Sequence, residues 1–161
     1  MTFVPGLVLQ PGESASFQTD AIYERFWAGD GSYQRTGGFF LGSPAFVVAG
    51  LAATAVGNRV RRNRALADSV PSWREQQRVE VIGTNQRLIV RRSDRALFSF
   101  WWAGMQEFWP EPRSWALVLG YADVPPLRLS GLAAPYVCVH VARHVLRDGW
   151  QTHPKLAELA R

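Results

Sequence analysis

The densest charge in this chain is a group of four arginines, Arg59, Arg61, Arg62 and Arg64, that follows a stretch (residues 36–58) with no charged residue. A guanidinium stays protonated at every accessible pH and offers five donors in a fork that matches carboxylate and phosphate oxygens, so the group is suited to anions. On a helix the four would point around most of the circumference, as at a helix end facing lipid headgroups or plain solvent. Phe39, Phe40, Leu41 and Phe46 stand upstream, where they could anchor an interfacial helix in lipid. A second basic group, Arg87, Arg91, Arg92 and Arg95, is followed closely by Phe98, Phe100, Trp101 and Trp102. Arginine beside aromatics on a sheet can stack unpaired bases. The aromatic wording of RNA-binding sheets and a glycine-rich RNA loop are both missing, however. A solvated face over core aromatics explains the group better, and nucleic acid is the weakest of the partner readings.

His140 and His144 stand four residues apart, with Asp148 four further on, a helical spacing that can hold a metal. No Glu follows the first His as a metalloprotease would need. Cys138 lies two residues from His140 but has no evident acidic third member, so a buried structural thiol is the default. Phosphate-cradling glycine loops, serine elbows and paired catalytic carboxylates are not found. The expectation is a non-catalytic protein with no cofactor and no metal.

The elements that must position these groups follow from pattern. At 161 residues, 47% hydrophobic and 19% charged, the chain is one domain able to bury a core. Its formal charge of +5 favours anionic partners, although Lys155 is the only lysine and the arginine bias reads first as base composition. One cysteine excludes an internal disulfide, and the first twelve residues lack a secretory pattern. Both fit a cytoplasmic protein.

Residues 79–91 alternate apolar and polar on either side of Thr84-Asn85-Gln86, which predicts a hairpin with Asn85 in a left-handed turn conformation. Strands are predicted over residues 14–26, 96–102, 105–109 and 114–121, with Pro110-Glu111-Pro112 stopping the third. Trp115, Leu117, Leu119 and Tyr121 are expected on one face of the last of these. Leu127-Arg128-Leu129 follows a Pro-Pro turn. Residues 133–146 suit a strand or a helix, and length favours a helix stopped at Asp148-Gly149, with Trp150 as its last core contact. Residues after Thr152 are expected to form a short mobile or helical tail.

Ser43 and Pro44 predict a helix start, and the helix could run to about Asp68. It could be buried or surface-packed, inserted or interfacial, or spanning. Beyond Pro44 the uncharged part is about 13 residues, roughly 20 Å, against a hydrocarbon core of about 30 Å. A single crossing would also separate strands expected to share one sheet.

The hairpin wording Thr84-Asn85-Gln86-Arg87-Leu88 resembles the "TN-x-RL" hairpin of bacterial pleckstrin-homology-like (PH-like) and GRAM-like domains. Leu9-Gln10-Pro11-Gly12-Glu13 ahead of the first strand is similar to their opening, and the order of later motifs, through Leu127-Arg128-Leu129-Ser130-Gly131 and the Pro135 helix, resembles an uncharacterised actinobacterial group. The resemblance implies an α+β fold: a bent antiparallel sheet, or partly open barrel, of about seven strands with a C-terminal capping helix. Residues 1–150 would be one domain, with residues 42–70 a helical insertion between early strands and 151–161 a tail. It further implies a non-catalytic module at the cytoplasmic membrane face, or one scaffolding protein partners. A second reading of the residues is a protein-interaction or self-assembly module whose exposed aromatics, such as Trp101, Trp102 or Trp109, bury a partner. The early loop, residues 29–34, carries no Lys or Arg, so a phosphoinositide-type pocket is not expected.

Overall fold

The computed structural model describes residues 6–27 and 70–160. The predicted helical insertion, with Arg59, Arg61, Arg62, Arg64, Phe39, Phe40, Leu41 and Phe46, lies outside the described residues.

Seven strands form one sheet: β1 (Ala15–Trp27), β2 (Ser72–Thr84), β3 (Arg87–Arg91), β4 (Leu97–Trp101), β5 (Met105–Glu111), β6 (Ala116–Tyr121) and β7 (Leu127–Ser130). Their spatial order is β4-β3-β2-β1-β7-β6-β5, so β1 joins two meanders. The pairs β1/β7, β2/β3, β3/β4, β5/β6 and β6/β7 are antiparallel. Between β1 and β2, Gln18 meets Glu80 and Asp20 meets Arg78. Numbers rise on one strand as they fall on the other, so this pair is antiparallel too.

Alternation along the strands makes two cores. Val81, Leu88, Val90, Phe100, Leu117, Leu119, Leu127 and Leu129 point to one face. There they meet α1 (Ala134–Val145), which turns Ala134, Val137, Cys138, Val141 and Ala142 inward at helical spacing. Ile82 and Ile89 point to the other face, where Ala15 and the N-terminal residues Leu7 and Leu9 cover them.

Four expectations are corrected. Pro110 does not stop β5; it is buried and paired with Leu117. β5 is an edge strand, where a missing N–H costs no ladder bond, and Pro112 instead opens a short 3-10 turn. Trp115 does not extend β6: it follows that turn in a left-handed conformation (φ 52°) and is half exposed. The helix ends before Gly149, where Arg147 takes the left-handed conformation (φ 51°). Trp150 is not the last core contact: the residues after Thr152, helical in part as expected, dock Leu156 fully buried in the main core. Trp150 does pack against that core.

Candidate functional site

The hairpin turn and the Pro-Gly-Glu segment, far apart in sequence, meet. Arg87 leaves the start of β3 and forms a two-pronged ion pair with Glu13, Nε to Oε1 at 2.7 Å and Nη2 to Oε2 at 2.8 Å. The Glu13 side chain is fully buried and that of Arg87 is 10% exposed. Arg87 Nη1 also donates to Ser99 Oγ (2.8 Å), and its guanidinium lies 4.4 Å from the centre of the Trp101 ring. The Thr84 hydroxyl lies 2.8 Å from Glu13 Oε1 and accepts the Gln86 and Arg87 N–H groups at 3.1 and 2.9 Å. Burial alone would push the Glu13 carboxyl up. Hydrogen bonds from Arg87, the Gln10 amide and Thr84 outweigh it and hold the group below its ordinary value.

Asn85 does not take the left-handed conformation expected of it. Its contribution comes from donors and acceptors. Asn85 Oδ1 accepts the Ser14 N–H (2.8 Å), Nδ2 donates to the Gly12 carbonyl (3.0 Å), and its own N–H donates to the Ser14 carbonyl (3.1 Å). The side chain thus copies a strand partner for the incoming N-terminal segment. The wording that suggested a family is therefore a structural clasp.

The clasp removes Arg87 from the basic face predicted for residues 87–95. Alternation does put Arg87 and Arg91 on one face, but Arg91 pairs with Glu80 at 2.7 Å. Arg92 lies 3.6 Å from Glu75 and 3.7 Å from Asp94, with its guanidinium 5.6 Å from the centre of the Phe98 ring. Arg95 occupies the turn at φ 67°, and its N–H donates to the Arg92 carbonyl. The carboxylate partners of Arg91 and Arg92 come from β2 (Glu80, Glu75) and from the turn between β3 and β4 (Asp94).

His140 and His144 do share a face of α1, with ring centres 4.7 Å apart. Among the described residues no group of three or more His, Cys, Asp or Glu side chains is placed to hold a metal. His140 Nε2 lies 3.1 Å from the Thr84 carbonyl, which can only accept, so Nε2 carries the hydrogen. The same carbonyl accepts Trp102 Nε1–H at 3.3 Å. Phe17 meets the His140 ring edge-on, and Trp102 stacks on His144 at 5.5 Å and 6°. Burial pushes His140 down to about 4, with His144 and Arg143 adding to the effect against the Thr84 hydrogen bond. Burial, then Arg143, lowers His144. Thr84, fully buried, thus binds the hairpin to the N-terminal segment through its hydroxyl and to the helix through its carbonyl. Cys138 lies in the main core, burial pushing its thiol up to about 12.

Sequence reasoning singled out Arg87 but missed Glu13 and Thr84. The available signal was their position in the two motifs that carried the resemblance.

Seven antiparallel strands closed by one C-terminal helix make this an α+β, PH-like fold. No family model matches the chain, and no curated protein matches it. Among solved structures it is similar to a "Vps36 N-terminal PH domain", at 14% identity over 91% of this chain and 87% of that one, with a TM-score of 0.44. The fold class rests on strand order and the closing helix. Among the described residues, no helix is long and apolar enough to cross a membrane.

Proposed function

We propose that this chain is a non-catalytic PH-like module of the bacterial, GRAM-like type that associates with the anionic cytoplasmic face of a membrane through residues 39–64. The observation that carries the reading is where the charge is spent. Arg87, Arg91 and Arg92 lie against Glu13, Glu80 and Glu75. Arg78, Arg113, Arg128 and Lys155 pair with Asp20, Glu158, Glu24 and Glu111. Residues 28–69 hold five arginines (Arg35, Arg59, Arg61, Arg62, Arg64) against Asp30 and Asp68, which is three of the net +5. The larger part of the cationic excess thus coincides in sequence with Phe39, Phe40, Leu41 and Phe46. Cationic residues beside apolar anchors are the composition of an interfacial contact.

The test is co-sedimentation of the full chain with anionic and neutral vesicles over a salt series. Salt-sensitive binding to anionic vesicles alone supports the reading. Each arginine near an anionic surface contributes about 1 kcal/mol. Changing Arg59, Arg61, Arg62 and Arg64 to Gln should therefore weaken binding by about three orders of magnitude. Salt-resistant binding to both vesicle types would assign the contact to apolar insertion instead, and no binding to either would sink the proposal.

A further inference from the structure

The two edges of the sheet are guarded very differently. On β5 stand Pro110, Glu107 and Glu111, and its register with β6 shifts between Met105 and Glu107. Proline, charge and irregular register are devices that keep an edge from pairing with another chain. β4 has none of them. Residues 96–106 contain no charge and no proline, and Leu97, Phe98 and Trp101 are 48%, 37% and 37% exposed.

The ladder shows which groups β4 presents. Trp102 N–H donates to the Gln86 carbonyl and Arg92 N–H to the Ala96 carbonyl. Directly opposed antiparallel residues alternate between bonded and non-bonded pairs. Arg87/Trp101, Ile89/Ser99 and Arg91/Leu97 are therefore the non-bonded pairs of the β3/β4 register. The backbone N–H and C=O groups of Leu97, Ser99 and Trp101 consequently point away from β3. Among the described residues, no hydrogen bond to the outer edge of β4 is made.

We propose that β4 pairs antiparallel with β4 of a second copy of this chain, about a two-fold axis between the two Ser99 residues. In that register Ser99 faces Ser99, and Leu97 faces Trp101 of the second copy in both directions. The three outward-pointing residues of each copy are then bonded. The exposed Leu97 and Trp101 side chains cover one another on the same face, an aliphatic–aromatic cross-strand pair. Charge selects this arrangement. Antiparallel pairing sets each Arg95 against the uncharged Ala103 end of the other copy, whereas parallel pairing would set Arg95 on Arg95. The edge is self-complementary, as a two-fold interface requires.

The test is sedimentation velocity of the full chain without lipid over roughly 1 to 200 µM, because an interface this small belongs to the weak class. A concentration-dependent dimer is expected, and Leu97→Lys should weaken it at least about tenfold by placing charge on the edge. Opposed bonded residues have Cα atoms about 5.5 Å apart, within disulfide reach. Ser99→Cys should therefore give a covalent dimer on mild oxidation, while Ser93→Cys, exposed beyond the strand, should not. Cys138 is buried and does not interfere. A monomer at every concentration overturns the proposal. So does a dimer indifferent to Leu97→Lys, or one that cross-links through Ser93→Cys as readily as through Ser99→Cys.

Discussion

Glu13→Gln tests the clasp most directly. The substitution keeps size and one carbonyl acceptor but removes the charge that faces Arg87. The guanidinium then keeps Ser99 Oγ, the Val8 carbonyl, the Trp101 ring and one neutral amide oxygen, with no counter-charge, in a site where its side chain is 10% exposed. Removing one partner of a buried ion pair costs about 3–5 kcal/mol, and the retained acceptor places this change near the lower end. At this chain length a loss of about 3 kcal/mol lowers Tm by roughly 6–12 °C. Arg87→Met leaves Glu13 with the Gln10 amide and the Thr84 hydroxyl, each at 2.8 Å, and should cost about as much. The double variant leaves no buried charge. It should lose about 2–3 kcal/mol in all, so the two changes couple by at least about 2 kcal/mol. Urea unfolding of the four proteins at pH 7, followed by tryptophan fluorescence, measures the cycle. Glu13 also sets a pH window. Its pKa is depressed in the fold, so its contribution is complete above the ordinary carboxylate value of 4.5 and is lost as pH falls through the folded value. The Glu13→Gln protein should lack that acid loss. A single-variant cost below about 1 kcal/mol, as for an exposed pair, or additive costs in the cycle, would refute the clasp.

Three further outcomes follow from the packing. His140, pushed down to about 4 by burial, stays neutral in the fold while its unfolded counterpart takes up a proton near pH 6.5. Stability should thus fall as pH drops from 6.5 towards 4, and fall less in His140→Gln; an imidazole that titrates by NMR at or above 6.5 contradicts this. At Gly83 a Cβ would sit 2.0 Å from Phe17 Cε1. Gly83→Ala should therefore cost about 1–3 kcal/mol or more by overpacking, and adding Phe17→Leu should recover part of the loss in the same urea assay. Leu156→Ala should cost about 2–5 kcal/mol in thermal melting, since the side chain is fully buried in the main core; a change under about 0.5 kcal/mol would mean the segment after Thr152 is not docked.

Periodicity made the hairpin, the later strands and the C-terminal helix legible. The residues on either side of Asn85-Gln86 and the inward stripe of α1 repeat at the spacings that sheets and helices impose. The pairing of the second basic group was within reach as well. Counting back from the two-residue turn sets Glu80 opposite Arg91, and a carboxylate opposite a guanidinium is an ion pair before it is an anion site. The clasp was not legible, because a glutamate after Pro-Gly reads as an exposed turn residue. Only contact with a residue 74 positions away makes it a buried one. Pro110 misled for a related reason. A proline reads as a breaker until the strand is known to be an edge, and edge position is a property of the whole sheet. The open side of β4 was hidden in the same way. Its aromatic run could be read as core or as an exposed partner contact, and only the sheet order, which makes β4 an edge, with the exposure of Leu97 and Trp101, decides between them.

The central place of β1 has a consequence for how the chain reaches its fold. β2 to β4 and β5 to β7 are each joined by short turns, so either meander can assemble from local contacts. β1 must find β2 across residues 28–71 and β7 across most of the chain. Closing a loop of roughly 45 residues costs about 2 kcal/mol more entropy than closing one of four. The rate-limiting step should therefore be the capture of β1 between two preformed ribbons, with the Glu13 clasp closing after it. Substitutions in the β2/β3 turn would then change the folding rate, while those at Glu13 would act almost wholly on unfolding.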